Sequence, residues 1–161
     1  MTALSGLILG EHHRTLDDRY RLSIPNEMAE LVVPESADCI LAKERPGCLS
    51  LWSSDGWQAK LDAGVELIQR KIQAGKLEGR TSQVQLLGRL LSTRHKTVQL
   101  ANRSRLLIPE GFREFLAVEP GGEVLVVGAA VCIEIWRPDA WLAHLQRRIP
   151  RFRRLFDRLS S

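Results

Sequence analysis

The sequence predicts an α+β protein in which two matched halves build one small, closed β-structure decorated with helices. Three observations predict it. The stretch "LDDRYRLSIP" at residues 16–25 returns as "LANRSRLLIP" at 100–109, so the chain repeats itself at a distance of 84 residues. In each copy, short β-rich runs broken by turn residues alternate with segments of helical period. Each copy spans only about 45 residues, too few to bury a stable core alone.

The repeat is extensive. Aligning 16–61 with 100–145 needs no gap and gives fifteen identical pairs out of 46. Among them are Arg19/Arg103, Arg21/Arg105, Cys48/Cys132, Trp52/Trp136 and Trp57/Trp141, so all four tryptophans share one register. A register common to every tryptophan marks an internal duplication. Two halves paired inside one chain would bury what neither can bury alone, and a closed structure would leave no sheet edge exposed.

The elements follow in order. "HHRTLDDRYRLSIP" and "HKTVQLANRSRLLIP" each read as a hairpin, two strands around a polar turn formed by Asp18-Arg19-Tyr20 or Asn102-Arg103-Ser104. Pro25 and Pro109 then open short helices, "PNEMAEL" and "PEGFREFL", where a missing N–H costs nothing. Two further hairpins come next, "DCILAKE" with "CLSLW" and "GEVLVVG" with "VCIEIW", broken by Gly47 and flanked by Gly128. A helix follows each tryptophan pair. Ser53, Ser54 and Asp55 can cap the first, and Pro138 and Asp139 start the second. Trp57, Leu61, Val65, Ile68 and Ile72 keep helical spacing, and residues 79–91 supply another helix. At the end, Ile149, Phe152, Leu155, Phe156 and Leu159 lie at near-helical spacing among arginines, with Pro150 interrupting the start of that stretch.

Composition bounds the function. With 161 residues, 44% hydrophobic and 26% charged, the chain is ordinary globular material. No apolar run approaches the roughly 18 to 20 residues that cross a bilayer. The first positive residue is Arg14, so the basic start of a secretory signal is lacking and the cytosol is the expected compartment. The net charge of +4 is uneven: residues 147–161 hold six arginines against one aspartate, leaving the first 146 residues at −1. A nucleic-acid surface on the body must therefore be a local patch. Cys39, Cys48 and Cys132 are odd in number and lack C-x-x-C spacing, which points to buried packing. His12, His13, His95 and His144 form no ligand pattern, and His12 and His13 would face opposite sides of a strand. No metal or cofactor is expected. Without a nucleophile–base pair, a ligand cluster or a phosphate-cradling glycine loop, the chain is not expected to be an enzyme.

The arginines carry the functional expectation. Period 2 puts Leu22 and Ile24 on one face, with Leu106 and Ile108 likewise, so Arg21 and Arg105 face the other way. Arg19 and Arg103 sit at the turns just before, and Arg14, Arg94 and Lys96 on partner strands can widen the patch. A guanidinium fork donates two parallel hydrogen bonds to phosphate or to guanine edges, and a two-stranded ribbon fits the major groove. The competing reading is a surface ion pair of Arg21 with Asp17, worth roughly 0 to 1 kcal/mol. Ala101 occupies the acid's place in the second copy, yet Arg105 is still arginine, which favours ligand binding.

The doubled "RLSIP" and "RLLIP" blocks, the Trp/Asp/Trp segments and the central "VQLLGRLLSTRHKTVQL" resemble the MraZ family of bacterial transcriptional regulators, over residues 7–145. That resemblance implies an internally duplicated AbrB-type swapped-hairpin β-barrel with flanking helices. It divides the chain into a SpoVT/AbrB-type domain at 11–56, a helical connector at 57–92, a second such domain at 95–138, and a C-terminal helix with basic tail at 139–161. It implies a ring-shaped homo-oligomer on double-stranded promoter DNA, at repeated boxes in its own division and cell-wall gene cluster, in the cytoplasm and on the nucleoid. The family's D-x-x-x-R signature falls on Asp17 and Arg21, and in the second half on Arg105 alone. The DNA-binding set becomes Arg14, Asp17, Arg19, Arg21, Arg94, Lys96, Arg103 and Arg105. Tyr20 and Ser104 stand where the signature has glycine, so Asp18 or Asn102 is expected to take the left-handed turn conformation. Two other readings remain: an AbrB-type antitoxin, which usually has one domain and a disordered arm, and a ring-forming scaffold that binds no DNA. The basic tail could pack on a neighbouring subunit, contact DNA or touch a membrane surface, and subunit packing ranks first.

Overall fold

The computed structural model describes residues 6–33, 38–75, 79–101 and 104–160. In chain order the elements are β1 (Glu11–Thr15), β2 (Arg21–Ser23), α1 (Asn26–Val32), β3 (Cys39–Arg45), β4 (Cys48–Ser53), α2 (Ser54–Gln73), α3 (Thr81–Thr93), β5 (His95–Val98), β6 (Arg105–Leu107), α4 (Glu110–Leu116), β7 (Glu123–Gly128), β8 (Ile133–Trp136) and α5 (Pro138–Ser160). The local signals explain most boundaries. Pro25 and Pro109 immediately precede α1 and α4. Ser53 caps α2 by accepting the Gly56 N–H at 3.0 Å. The class is α+β with antiparallel pairing, as expected.

Strand partnership departs from the expected hairpins. The strands form a six-stranded sheet, β1-β7-β8-β4-β3-β5, and a separate two-stranded ribbon, β2-β6. β1 does not zip onto β2: it pairs with β7 of the other copy, and β5 pairs with β3. The ladder continues past β1, where Leu16 exchanges backbone bonds with Gly121 and Gly122 at 2.7 and 2.9 Å, and Leu16 is fully buried. Cross-copy pairing wins because a local hairpin would offer similar hydrogen bonds but bury far less apolar surface.

The closed β-structure is also corrected. Among the described residues the large sheet is open, with β1 and β5 at its edges. These edges read EHHRT and HKTV, and charged or imidazole side chains along them discourage pairing with another chain. Pro150 is a third correction, since it lies inside α5 without ending it. The ring forfeits the bond to the carbonyl of Gln146, which sits at an exposed turn where water can take its place.

The main core lies on one side of the sheet. Leu22, Ile24, Leu106 and Ile108 from the ribbon and its exits, with Met28, Val32, Phe112 and Leu116 from α1 and α4, cover Leu41, Leu49, Leu51, Val124, Val126, Ile133 and Ile135. On the reverse face Trp52 and Ile40 meet Trp57 of α2, while Trp136, Cys48 and Leu125 meet Ala140 and Trp141 of α5. The three thiols are free and buried; burial pushes Cys39 up to about 11, Cys132 up to about 12 and Cys48 higher still. Packing is their role, as the spacing suggested.

Gly47 shows why the β3–β4 turn needs glycine. Its φ is +81°, and an added Cβ would stand 2.7 Å from the Ala140 methyl. Its N–H donates to Phe115 O at 2.9 Å and its carbonyl accepts from Arg137 N at 2.8 Å, which seats the turn against the start of α5. Among the described residues no helix is long and apolar enough to cross a membrane.

Candidate nucleic-acid interface

The ribbon register sets the geometry. Arg21 stands opposite Leu107, Leu22 opposite Leu106, and Ser23 opposite Arg105. Leu22 and Leu106 are fully buried, so by strand alternation Arg21, Ser23, Arg105 and Leu107 share the outward face. Two more bonds lock the ribbon, Ile108 N to Tyr20 O and Ile24 N to Ser104 O, both 2.9 Å. Under the 84-residue shift these two bonds exchange places. The expected pair of hairpins is thus replaced by one ribbon, with one strand from each copy and its two arginines set diagonally across a single face.

Asp17 organises the loop before Arg21. Its Oδ1 accepts the backbone N–H of Arg19 and of Arg21, each at 2.8 Å, and its Oδ2 accepts Arg21 Nε at 2.9 Å. The competing ion pair therefore exists, but it occupies only Nε. The terminal guanidinium nitrogens of Arg21 have no partner among the described residues, and its side chain is 37% exposed. In the second copy the main chain replaces the carboxylate: Arg105 N donates to Ala101 O at 3.2 Å and Ala101 N to Arg105 O at 2.8 Å. Arg105 is half-buried and makes no ion pair among the described residues.

The left-handed turn residues are Tyr20 and Ser104, each with φ of 60°, and Asp18 is not one of them; Asn102 lies outside the described residues. Each must turn the chain so that its carbonyl meets the opposite copy's isoleucine. That is the position where the family signature has glycine, the residue that adopts this conformation with least strain. Here side-chain contacts offset the strain: the Arg113 guanidinium lies 4.1 Å from the Tyr20 ring centre, and Ser104 Oγ donates to Asn26 Oδ1 at 3.1 Å.

The other candidates scatter. Arg19 is exposed in the Asp17 loop, and Arg103 lies outside the described residues. Arg14 on β1 donates to His13 O at 2.9 Å, and Lys96 is exposed on β5, so the two occupy opposite edges of the large sheet. The Arg94 guanidinium is engaged by main chain at the end of β3, donating to Lys43 O at 2.9 Å and Glu44 O at 2.8 Å. Sequence spacing does not reveal Arg113, because its place beside Tyr20 follows from how α4 packs. Period 2 does reveal Ser23 and Leu107.

The Asp17 geometry has a pH consequence. The backbone bond from Arg21 above all, with the Arg19 N–H and the Arg21 guanidinium, holds its carboxyl below the usual carboxylate range against a smaller opposing effect of burial. A folded value below the unfolded one, about 3.9, means stabilisation present above about pH 4 and lost as pH falls through the folded value. Urea denaturation should therefore show wild-type stability falling relative to Asp17→Asn below about pH 4. Parallel pH profiles for the two chains would remove Asp17 from this role.

Residues 93–159 match the family described as "MraZ protein, putative antitoxin-like". The chain is 30% identical over 132 residues to a Thermus thermophilus protein named "Transcriptional regulator MraZ", covering 82% of this chain and 83% of that one. Proteins of the same name from Alkaliphilus metalliredigens and Moorella thermoacetica are 29% and 24% identical. The first comparison covers 84% of each chain, and the second 95% of this one and 96% of its relative.

Proposed function

Because the chain belongs to the MraZ family, we propose that it is a transcriptional regulator that docks the outward face of the β2–β6 ribbon on double-stranded promoter DNA. One observation carries this reading: Arg21 and Arg105 lie on a common outward face of a ribbon narrow enough for the major groove. Arg21 and Arg105 make the central contacts, Arg19 and Arg103 reach phosphates from the loops, and Asp17 orients Arg21. Arg14, Lys96 and Arg94 are outlying members of the set, available only where the duplex or a neighbouring copy extends past the ribbon. The targets are repeated short boxes upstream of the gene itself, in a division and cell-wall cluster. The chain acts in the cytoplasm on the nucleoid and catalyses no reaction.

The same reading takes the fold as a duplicated AbrB-type swapped-hairpin unit, with domains at 11–56 and 95–138, a connector at 57–92 and a tail at 139–161. The exchange of β1 and β5 between copies supports it. A homo-oligomer, ring-shaped by family resemblance, is supported by two apolar surfaces left open among the described residues. One is a recess of about 350 Å³ between α2, α3 and β3, lined by Trp57, Leu61, Ile68, Leu87 and Leu91 among others. The other is the α5 stripe of Leu145, Ile149, Phe152, Phe156 and Leu159, at alternating spacings of four and three. Light scattering should give a mass several times 18.2 kDa, falling when residues 147–161 are removed; an unchanged mass would exclude the tail as the contact.

The DNA reading is tested by fluorescence anisotropy with duplex from the region upstream of the gene. Saturable binding that weakens steeply with salt is expected. No salt-dependent binding there would leave a scaffold instead.

A further inference from the structure

A second group of arginines sits on the reverse side of the large sheet from the ribbon. Arg45, at the end of β3, and Arg147, Arg148 and Arg151 of α5 line a recess of about 350 Å³. The recess is built into the fold. The Gly47 turn is bonded to Phe115 and Arg137 on either side, which brings the end of β3 against α5. Positions 147 and 148 lie four and three residues before 151, so the three helical arginines share one flank.

Arg45 is held in place rather than free to wander. Its guanidinium lies over the Trp136 ring, 6.0 Å from the centre, and its Nη1 is 3.1 Å from His144 Nδ1. A guanidinium only donates, so Nδ1 must accept, and His144 is neutral with its proton on Nε2. Burial, then Arg45, Arg148 and Arg147, push the His144 pKa down, in keeping with a strongly positive surrounding. The Arg45 Nε is buried without a hydrogen-bond partner among the described residues.

No carboxylate within 4 Å neutralises any of these four arginines among the described residues. The nearby acids hydrogen-bond other groups, Glu134 accepting from Trp136 Nε1 at 3.0 Å and Glu44 from Ser50 Oγ at 2.9 Å, and Glu134 attracts Arg45 only through its charge at longer range. Like charges brought together this way repel, and the arrangement is stabilised only when an anion joins it.

We propose that this recess binds the diphosphate group of a small phosphorylated molecule, gripped by Arg45, Arg147, Arg148 and Arg151. The charge matches, since a diphosphate brings two adjacent anionic centres to four cations. Arg147, Arg148 and Arg151 can each offer a phosphate a forked pair of donors, and Arg45, with Nη1 on His144, adds a fixed cation to the wall. A single phosphate would leave part of the cluster unneutralised. A duplex on the ribbon lies across the sheet from this recess, so the same duplex does not reach both on one chain.

Isothermal titration of the full chain with inorganic pyrophosphate at low ionic strength tests this. One saturable site per chain is expected, with inorganic phosphate binding about tenfold or more weakly. Arg45→Gln should weaken pyrophosphate binding at least about tenfold, as should Arg148→Gln with Arg151→Gln, whose exposed positions leave the fold intact. The chain carrying Arg21→Ala and Arg105→Ala should bind pyrophosphate like the wild type, so a failure of the ribbon reading and a failure of this one are separable. The proposal is overturned by the absence of saturable heat, by affinity unchanged in both recess variants, or by phosphate binding as tightly as pyrophosphate. Mole-for-mole displacement of pyrophosphate by duplex DNA would also overturn it, assigning these arginines to a nucleic-acid backbone.

Discussion

With Arg21 and Arg105 both replaced by alanine, duplex DNA from the upstream region is expected to bind at least about thirtyfold more weakly at fixed salt. Each bidentate guanine contact is worth about 1 to 3 kcal/mol, so two lost contacts span about 30-fold to more than 10⁴-fold. Contacts to phosphate would register differently, lowering the salt slope by about 0.9 for each one lost. The measurement is anisotropy across a salt series, and it sorts the two kinds of contact residue by residue. Arg105→Ala is the cleaner single change, because Arg105 has no ion pair among the described residues whereas Arg21 holds Asp17. Both side chains are partly exposed, and the surface pair lost with Arg21 is worth little, so the fold should persist. Residues 95–105 carry +3 and residues 11–21 sum to zero, so the second loop should supply more of the nonspecific attraction. If alanine at Arg103 and Arg105 leaves the salt slope unchanged, that asymmetry is wrong. Wild-type affinity in the double variant would remove the ribbon from the interface.

Leu106→Ala should cost the fold about 2 to 5 kcal/mol, because it opens a cavity at the centre of the ribbon. Leu106 is 0% exposed, paired with Leu22 and part of the core beneath the ribbon. A loss of that size is a large share of the roughly 5 to 15 kcal/mol that holds a typical domain together. At fixed protein concentration the melting temperature should drop by about 4 to 20 °C. Its neighbour Leu107 is 52% exposed on the opposite face, and Leu107→Ala should stay within about 0.5 kcal/mol of the wild type. Urea denaturation of the two variants side by side is the check. Equal midpoints would mean that the ribbon is not packed as described.

The inward leucines and outward arginines of the ribbon were legible from alternation alone, since a strand has no other way to place successive side chains. So were the proline-opened helices, the Ser53 cap, the Gly47 turn and the buried thiols, all settled within a few residues of chain. The left-handed residues were misplaced by two positions in the first copy. Turn chemistry favours Asp18, but the carbonyl that must reach Ile108 belongs to Tyr20. The uninterrupted α5 was missed because proline breaks a helix only where the lost bond has no substitute. Arg94 was expected on a partner strand but instead closes α3, one residue before β5, and nothing in spacing showed that its guanidinium would be occupied by two carbonyls.

From the order of residues follow the duplication, the class of each element, and which side chains turn inward: these depend on interactions a few bonds or one helical turn apart. Assembly alone chose β7 over β2 as the neighbour of β1, left the large sheet with two edges, put Arg21 and Arg105 on one ribbon, and drew Arg45 to the arginines of α5. The reason is energetic. A strand gains nearly the same hydrogen bonds from any partner in register, so the apolar area buried by the whole core breaks the tie.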